Sequence, residues 1–459
     1  MRKVLFTALL FVCLAALTGC NKDKPEDRPG EAAAGNKEYQ FISGDFEQGN
    51  RPGTMGNAML RTEKGFYHYS DTLGGFRYYD TATGKEMFLC NKPECRHDGN
   101  EFCVATNETY TVLDYCLYGE LLMVFAAEET ETQVLYKVLA LALDGSSMDE
   151  VTTVLELERS PDMSLFTSKM YIHRNKALFT FATGASYEQE DTMHYGVALL
   201  DLNTKNVSFL DEEPLAKENV EATGITAYGN YFFYCRKEGK KNVLHRYHIT
   251  DGTDEKCKFL TGFTGDYAVL EEDYIAYLRS SRKAICTYRF STGENEEKVM
   301  LYEVVPKYDS YGNLLYESEE GEPAQGLVTD GTYLYVSQAT IHFDVPYPDG
   351  RVEEWTEGES ACIRVFNKEL EEVTVMNFAE QLPLEKGEYD CSAEASISIR
   401  TTHNLGFRYM GEDIYWYPVS VIGHSVTDQT VEIHVYHCKR SDFLAGEPKF
   451  EFVYKYSEN

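Results

Sequence analysis

Three cysteines and a histidine fall within fourteen residues, CNKPECRHDGNEFC, at Cys90, Cys95, His97 and Cys103. The spacing is C-x4-C-x-H-x5-C. Three thiolates and one imidazole are the ligand set of a closed tetrahedral zinc site, and Pro93 and Gly99 supply the tight turning such a loop needs. With four protein ligands no position is left for a bound water, so the metal would be structural and not catalytic. Disulfides are the competing chemistry. Cys116 lies close enough in sequence to complete two pairs, and exported chains often form them. Against that, Cys235, Cys257, Cys286, Cys362, Cys391 and Cys438 sit singly, which suits a chain kept reduced.

Other chemistries leave less trace. Gly423-His424-Ser425-Val426-Thr427 breaks the last position of a nucleophile elbow, and no phosphate-binding glycine loop or His-Glu-x-x-His motif occurs. Paired carboxylates can be chosen almost anywhere in so acidic a chain, so they single out no glycosidase pair. The stretch IHFDVPYPDGRVEEWTEGES places His342, Tyr347 and Trp355 amid acidic residues. Pro348-Asp349-Gly350 reads as a hairpin turn, making this a finger whose aromatics could grip a sugar ring or a partner side chain. Packing of those aromatics onto the finger itself is the plainer expectation.

The elements that carry these residues are strands. Turn residues followed by aromatic and aliphatic runs recur from Gly65, Gly119, Asn175, Gly229, Glu272, Gly331 and Gly411. Each run is followed by a second strand, a polar turn and a third, as in FRYYDTATGKEMFL and RYHITDGTDEKCKFL. A further strand precedes most copies, giving about four antiparallel strands per unit. One such sheet cannot bury both faces alone, whereas several arranged about an axis can. The expected fold is all-β, a β-propeller of four-stranded antiparallel blades, seven by this count with six or eight as alternatives. Residues 302–326 and 378–402 are long connections late in the chain.

The N-terminus reads as an export signal. MRKVLFTALLFVCLAALTGC has a basic start, an apolar run from Val4 to Ala16 too short for a stable span, and then Leu17-Thr18-Gly19-Cys20. That ending resembles the lipobox of bacterial lipoproteins, which implies cleavage before Cys20 and lipidation of its thiol. Residues 20–38 are polar and rich in Pro, Gly and Ala, the composition of a flexible tether. The organisation read from the sequence is therefore a leader at 1–19, a tether at 20–38 and a propeller at 39–459, with no linker after residue 40 to divide it.

The chain carries 43 Lys and Arg against 75 Asp and Glu, a formal net charge of −32. That field argues against nucleic acid as a partner and against docking on anionic lipid. The remaining expectations are a membrane anchor through lipid and a glycan or envelope-protein ligand.

LCNKPECRHDGNEFCVA resembles a signature of uncharacterised β-propeller lipoproteins of Gram-positive gut bacteria; the resemblance implies fold and location, not activity. Ile414-Tyr415-Trp416 loosely resembles strands of TolB-like and low-density-lipoprotein-receptor propellers. Asp80-Thr81-Ala82-Thr83-Gly84-Lys85 resembles a quinone-dehydrogenase propeller repeat, but Phe88 stands where that repeat has its docking tryptophan, so no quinone cofactor is implied. The functional expectation is a membrane-anchored extracytoplasmic binding or scaffold module. The alternatives are a carbohydrate-active enzyme with an axial carboxylate site, or a component of envelope assembly or sensing.

Overall fold

The computed structural model describes residues 60–458 except 63, 71–73, 99–102, 160–163, 185–192, 218, 220, 258–259, 261, 302, 309, 311–312, 321–322, 339–344, 347–351, 354–361, 378–395, 399–407, 411–412, 417–418 and 426–427. The expected leader and tether, with Cys20, lie outside the described residues, as do His342, Tyr347 and Trp355.

The first sheet is β1 (Leu60–Arg61), β2 (Gly65–Ser70), β3 (Gly75–Asp80) and β4 (Lys85–Phe88), antiparallel and in sequence order. The second is β5 (Tyr110–Tyr118), β6 (Leu121–Glu129), β7 (Gln133–Ala142) and β8 (Met148–Glu158), paired the same way. Four-stranded sheets follow within residues 164–209, 222–256, 263–300 and 324–377. A last, six-stranded sheet is built around the long strand Asp428–Lys439. The first strands of successive sheets lie against one another from the second sheet to the sixth. That arrangement is radial, not two-layered, and it is the architecture of a β-propeller.

The seven aromatic runs become the second strands of these sheets, and the structure explains why they are nearly solid apolar rather than alternating. In the first six sheets the second strand is buried on both faces. In Tyr231–Glu238, Phe232 and Tyr234 pack toward the third sheet, while Phe233 and Cys235 pack toward the fifth. Strands covered on both sides read as continuous hydrophobic runs. Six apolar clusters result, each joining one sheet to the next; Phe125 meets Phe179 and Phe181 between the second and third.

The last sheet returns to the first by a different chemistry. Tyr454 stacks on Tyr79 with centroids 4.1 Å apart, and its hydroxyl donates to the Glu86 carboxylate. His68, buried in β2, lies 3.2 Å from the same carboxylate.

Two departures from expectation concern the connections. The short helix Arg440–Leu444 was not foreseen. It forms because Phe443 is drawn wholly into the cluster between the sixth and last sheets, where its ring meets Tyr335 edge-on. The connection expected at 302–326 is a β-hairpin, Glu303–Tyr308 paired with Leu314–Glu320, followed by the first strand of the next sheet. In the expected finger, Val345–Pro346 pairs antiparallel with Val352–Glu353, while its turn lies outside the described residues. Among the described residues, no helix is long and apolar enough to cross a membrane.

Candidate metal centre

The cysteine segment is the bridge from β4 to β5, and both of its ends are held by close backbone approach. At the leading end, the Leu89 amide donates to the Phe76 carbonyl at 2.9 Å, and the Asn91 amide donates to the Gly145 carbonyl at 3.2 Å. Gly145 sits in the Asp144-Gly145 turn between β7 and β8, at φ 69°. A Cβ there would lie 2.7 Å from the Cys90 nitrogen, so only glycine lets the turn approach. At the trailing end, the Phe76 amide donates to the Ala105 carbonyl at 2.9 Å. Gly75, at φ 134°, leaves room there: a Cβ would come within 2.3 Å of that carbonyl oxygen. The loop is thus wedged between the first two sheets.

Inside the wedge, Cys95 closes a turn by donating its amide to the Lys92 carbonyl at 3.1 Å. His97 takes a left-handed backbone, φ 55°. For a non-glycine residue that costs about 1–2 kcal/mol, which the surroundings must offset. The turn brings the imidazole back over the loop, onto Phe88, with ring centroids 4.6 Å apart and 29° between planes. The Phe88 ring also carries the Arg77 guanidinium, 3.6 Å from its centroid.

The outcome is convergence. One ligand atom from each of Cys90, Cys95, His97 and Cys103 lies within 4.8 Å of every other. His97 Nδ1 is 3.5 Å from Cys103 Sγ. A tetrahedral zinc with ordinary bond lengths sets the nitrogen–sulfur edge at about 3.5 Å and the sulfur–sulfur edges at about 3.8 Å. One edge therefore already has the length required, and the others need to contract by about 1.3 Å at most. Cys103 is fully buried; Cys90, Cys95 and His97 are half-buried.

The protonation states suit the same purpose. Burial pushes the Cys103 thiol up. The Thr106 hydroxyl, His97, the Thr106 amide and the Cys95 thiol outweigh it by hydrogen bonding, and bring the thiol down to about 6. Cys103 is then a thiolate at neutral pH. Cys95 stands above the ordinary thiol range. The His97 backbone lowers it, but burial and the neighbouring Cys103 and Cys90 sulfurs more than compensate. A bound cation would remove that penalty by taking the remaining thiolates as ligands.

The disulfide scheme loses its fourth partner. Cys116 lies in β5 with its side chain among Met123, Phe125 and Phe179, in the cluster between the second and third sheets. No disulfide joins any of the nine cysteines among the described residues. The supporting residues were not read from the sequence. Phe88 is two positions before the first cysteine, and Gly145 lies in a Asp-Gly turn of the next unit; the turn signal was legible, its contact with Cys90 was not. A cleft of about 230 Å³ opens beside the loop, with His97 and Thr106 on its wall and Tyr110 and Met148 below.

No family model matches the chain, and neither does any curated protein. Solved structures do match. The chain is similar to a prolyl endopeptidase at 12% identity and a TM-score of 0.48, over 90% of this chain and 51% of that one. It therefore spans about half the length of that enzyme. It is similar to BamB from Moraxella catarrhalis at 11% identity and a TM-score of 0.34, over 82% of this chain and 95% of that one. TolB from Acinetobacter baumannii aligns at 12% identity and a TM-score of 0.27, over 68% and 76% respectively. Likeness at this level carries nothing about activity.

Proposed function

We propose that this chain is an extracytoplasmic lipoprotein, anchored through Cys20, whose seven-bladed propeller is a binding or scaffold module for a glycan or protein of the cell envelope, and that Cys90, Cys95, His97 and Cys103 hold a structural zinc ion. The observation that carries the metal is the convergence of four ligand atoms from one short loop. A site with three sulfurs and one imidazole is closed, so the metal's contribution is mechanical. It ties the exit of the first sheet to the flank of the second, and makes the loop between them a rigid part of the surface.

The location rests on the leader, on Leu17-Thr18-Gly19-Cys20 and on the polar tether after it. The scaffold role rests on the architecture: a ring of sheets rigidly joined at their faces presents loops without moving them. A single preparation tests these statements. Metal analysis of the purified chain is expected to give one zinc per molecule. A membrane fraction labelled with a palmitate analogue is expected to lose its label in Cys20→Ala. A glycan array with a hydrolysis readout is expected to show retention without turnover. Turnover would mark a carbohydrate-active enzyme instead, and capture of one envelope protein without glycan would mark an assembly component.

A further inference from the structure

The hairpin Glu303–Tyr308 with Leu314–Glu320 has an unusual surface. Ten large apolar side chains are exposed among the described residues, and five belong to this one element: Val304, Tyr308, Leu314, Leu315 and Tyr316, each 50–61% exposed. Contiguous exposed apolar surface on a soluble domain marks a place of contact. The pairing register gathers it. Tyr308 is paired with Leu314, and cross-strand partners share a face, so Val304, Pro306, Tyr308 and Leu314 lie together, while Tyr316 pairs with Lys307 on the other face and Leu315 falls at the register shift. The alternate residues Val305 and Lys307 are half-buried, so the Val304–Pro306–Tyr308 face is the outward one.

The hairpin is also firmly rooted. Leu301, just before it, is buried in the cluster between the fifth and sixth sheets, and its amide donates to the Lys283 carbonyl at 2.8 Å. Just after it, the Ala324 amide donates to the Arg282 carbonyl at 2.7 Å, and Arg282 Nε donates back to the Ala324 carbonyl at 2.6 Å. A surface presented on fixed roots loses little freedom when it binds.

We propose that the outward face of this hairpin docks a basic, amphipathic segment of another protein. Charge selects the occupant. Residues 303–322 hold six carboxylates against the single Lys307, so the apolar face is set in an acidic field. A second copy would bring the same field and a net charge of −32 against it, and an anionic lipid surface is repelled for the same reason. A segment that alternates apolar and cationic residues satisfies both the face and its surroundings. The proposal rests on the reading of the chain as a binding module and is independent of the metal.

The test uses the full chain and two short probe peptides, one alternating valine with lysine and one alternating valine with glutamate. The lysine peptide is expected to bind at least about tenfold more tightly, and added salt to weaken it. Charge alone could attract that peptide anywhere on this chain, so the decisive variant combines Val304→Ser, Tyr308→Ser and Leu314→Ser, which leaves the charge unaltered. It is expected to lose about tenfold in affinity while keeping its zinc content and melting temperature. Should the variant fold poorly, amide exchange on the unaltered chain serves: the lysine peptide is expected to protect amides in 303–320 before any others. Equal binding of the two peptides, undiminished binding by the folded variant, or protection elsewhere overturns the proposal. So does hairpin-dependent self-association, or hairpin-dependent sedimentation with phosphatidylcholine vesicles. Retained zinc with no peptide binding would defeat this inference and leave the metal centre standing.

Discussion

Residues 89–109 and 301–323 make the same step, from the outer strand of one sheet to the first strand of the next. The earlier one has few apolar side chains beyond Leu89, Val104 and Ala105, and is drawn inward. Its backbone touches Gly75, Phe76 and Gly145, and its four candidate ligand atoms lie within 4.8 Å of one another. The later one has apolar side chains in plenty and spends them outward, on a hairpin fastened at its foot. Conserving the ring leaves the connections free to differ. A loop without a core of its own needs another source of order, and a metal held by the proposed ligands would supply one. A loop that already has cross-strand hydrogen bonds needs none, so its side chains are available to a partner.

The comparison breaks first at Cys103. Cys103→Ser is expected to abolish tight zinc binding and to cost on the order of 4 kcal/mol at zinc a thousandfold above its dissociation constant. Thermal unfolding with and without a chelator reads this directly: the chelator lowers the melting temperature of the unaltered chain and leaves the variant unmoved. Next in size is Gly145→Ala, which forces a methyl against the Cys90 backbone at an unfavourable φ. Its expected cost is about 1–3 kcal/mol, with a zinc affinity lowered about 10–100-fold in chelator competition.

Acid separates the clamp from the rest of the ring. His173 is fully buried and donates from Nε2 to the Gly229 carbonyl at 2.7 Å, linking the third sheet to the fourth. Burial lowers its pKa to about 4; the Gly229 bond works against this and the Arg174 charge adds to it. In the unfolded chain the value is about 6.5. Between the two, the unfolded chain binds more protons, so stability is full above about pH 6.5 and falls as pH drops toward about 4. In Cys103→Ser, where the metal no longer contributes, denaturant titrations are expected to keep this slope, and His173→Gln added to it to flatten it.

Smaller effects sharpen the contrast. Phe88→Leu removes the ring under His97 and is expected to cost about 1 kcal/mol, together with a measurable loss in zinc competition. Leu315→Ser, on the projecting hairpin, is expected to stay within about 0.5 kcal/mol of the unaltered chain. A large loss there would mean that the hairpin packs as a structural element, like the loop it is contrasted with.

The sequence announced the sheets because both chemistry and pattern repeat. Glycine or asparagine turns precede Phe66-Tyr67, Phe232-Phe233 and Tyr335 alike, and each run forms a second strand. It also announced the grouping of Cys90, Cys95, His97 and Cys103, since a cluster on one short loop is written in local spacing. What it could not convey is contact between units. The approach of Gly145 to Cys90 spans two sheets, and the stacking of Tyr79 on Tyr454 joins the ends of the ring. The hairpin at 303–320 was hidden for another reason. Val304-Val305 and Leu314-Leu315-Tyr316 match no aromatic repeat and so read as part of a connection, although their pairing is a local signal.

The most direct test of the metal clamp is X-ray absorption at the zinc edge on the purified full-length chain. The account predicts one tightly held zinc with three sulfur neighbours at about 2.3 Å and one nitrogen at about 2.0 Å. A chain purified without metal that still fails to retain zinc when supplied with it, or a zinc shell made of oxygen and nitrogen alone, would contradict it.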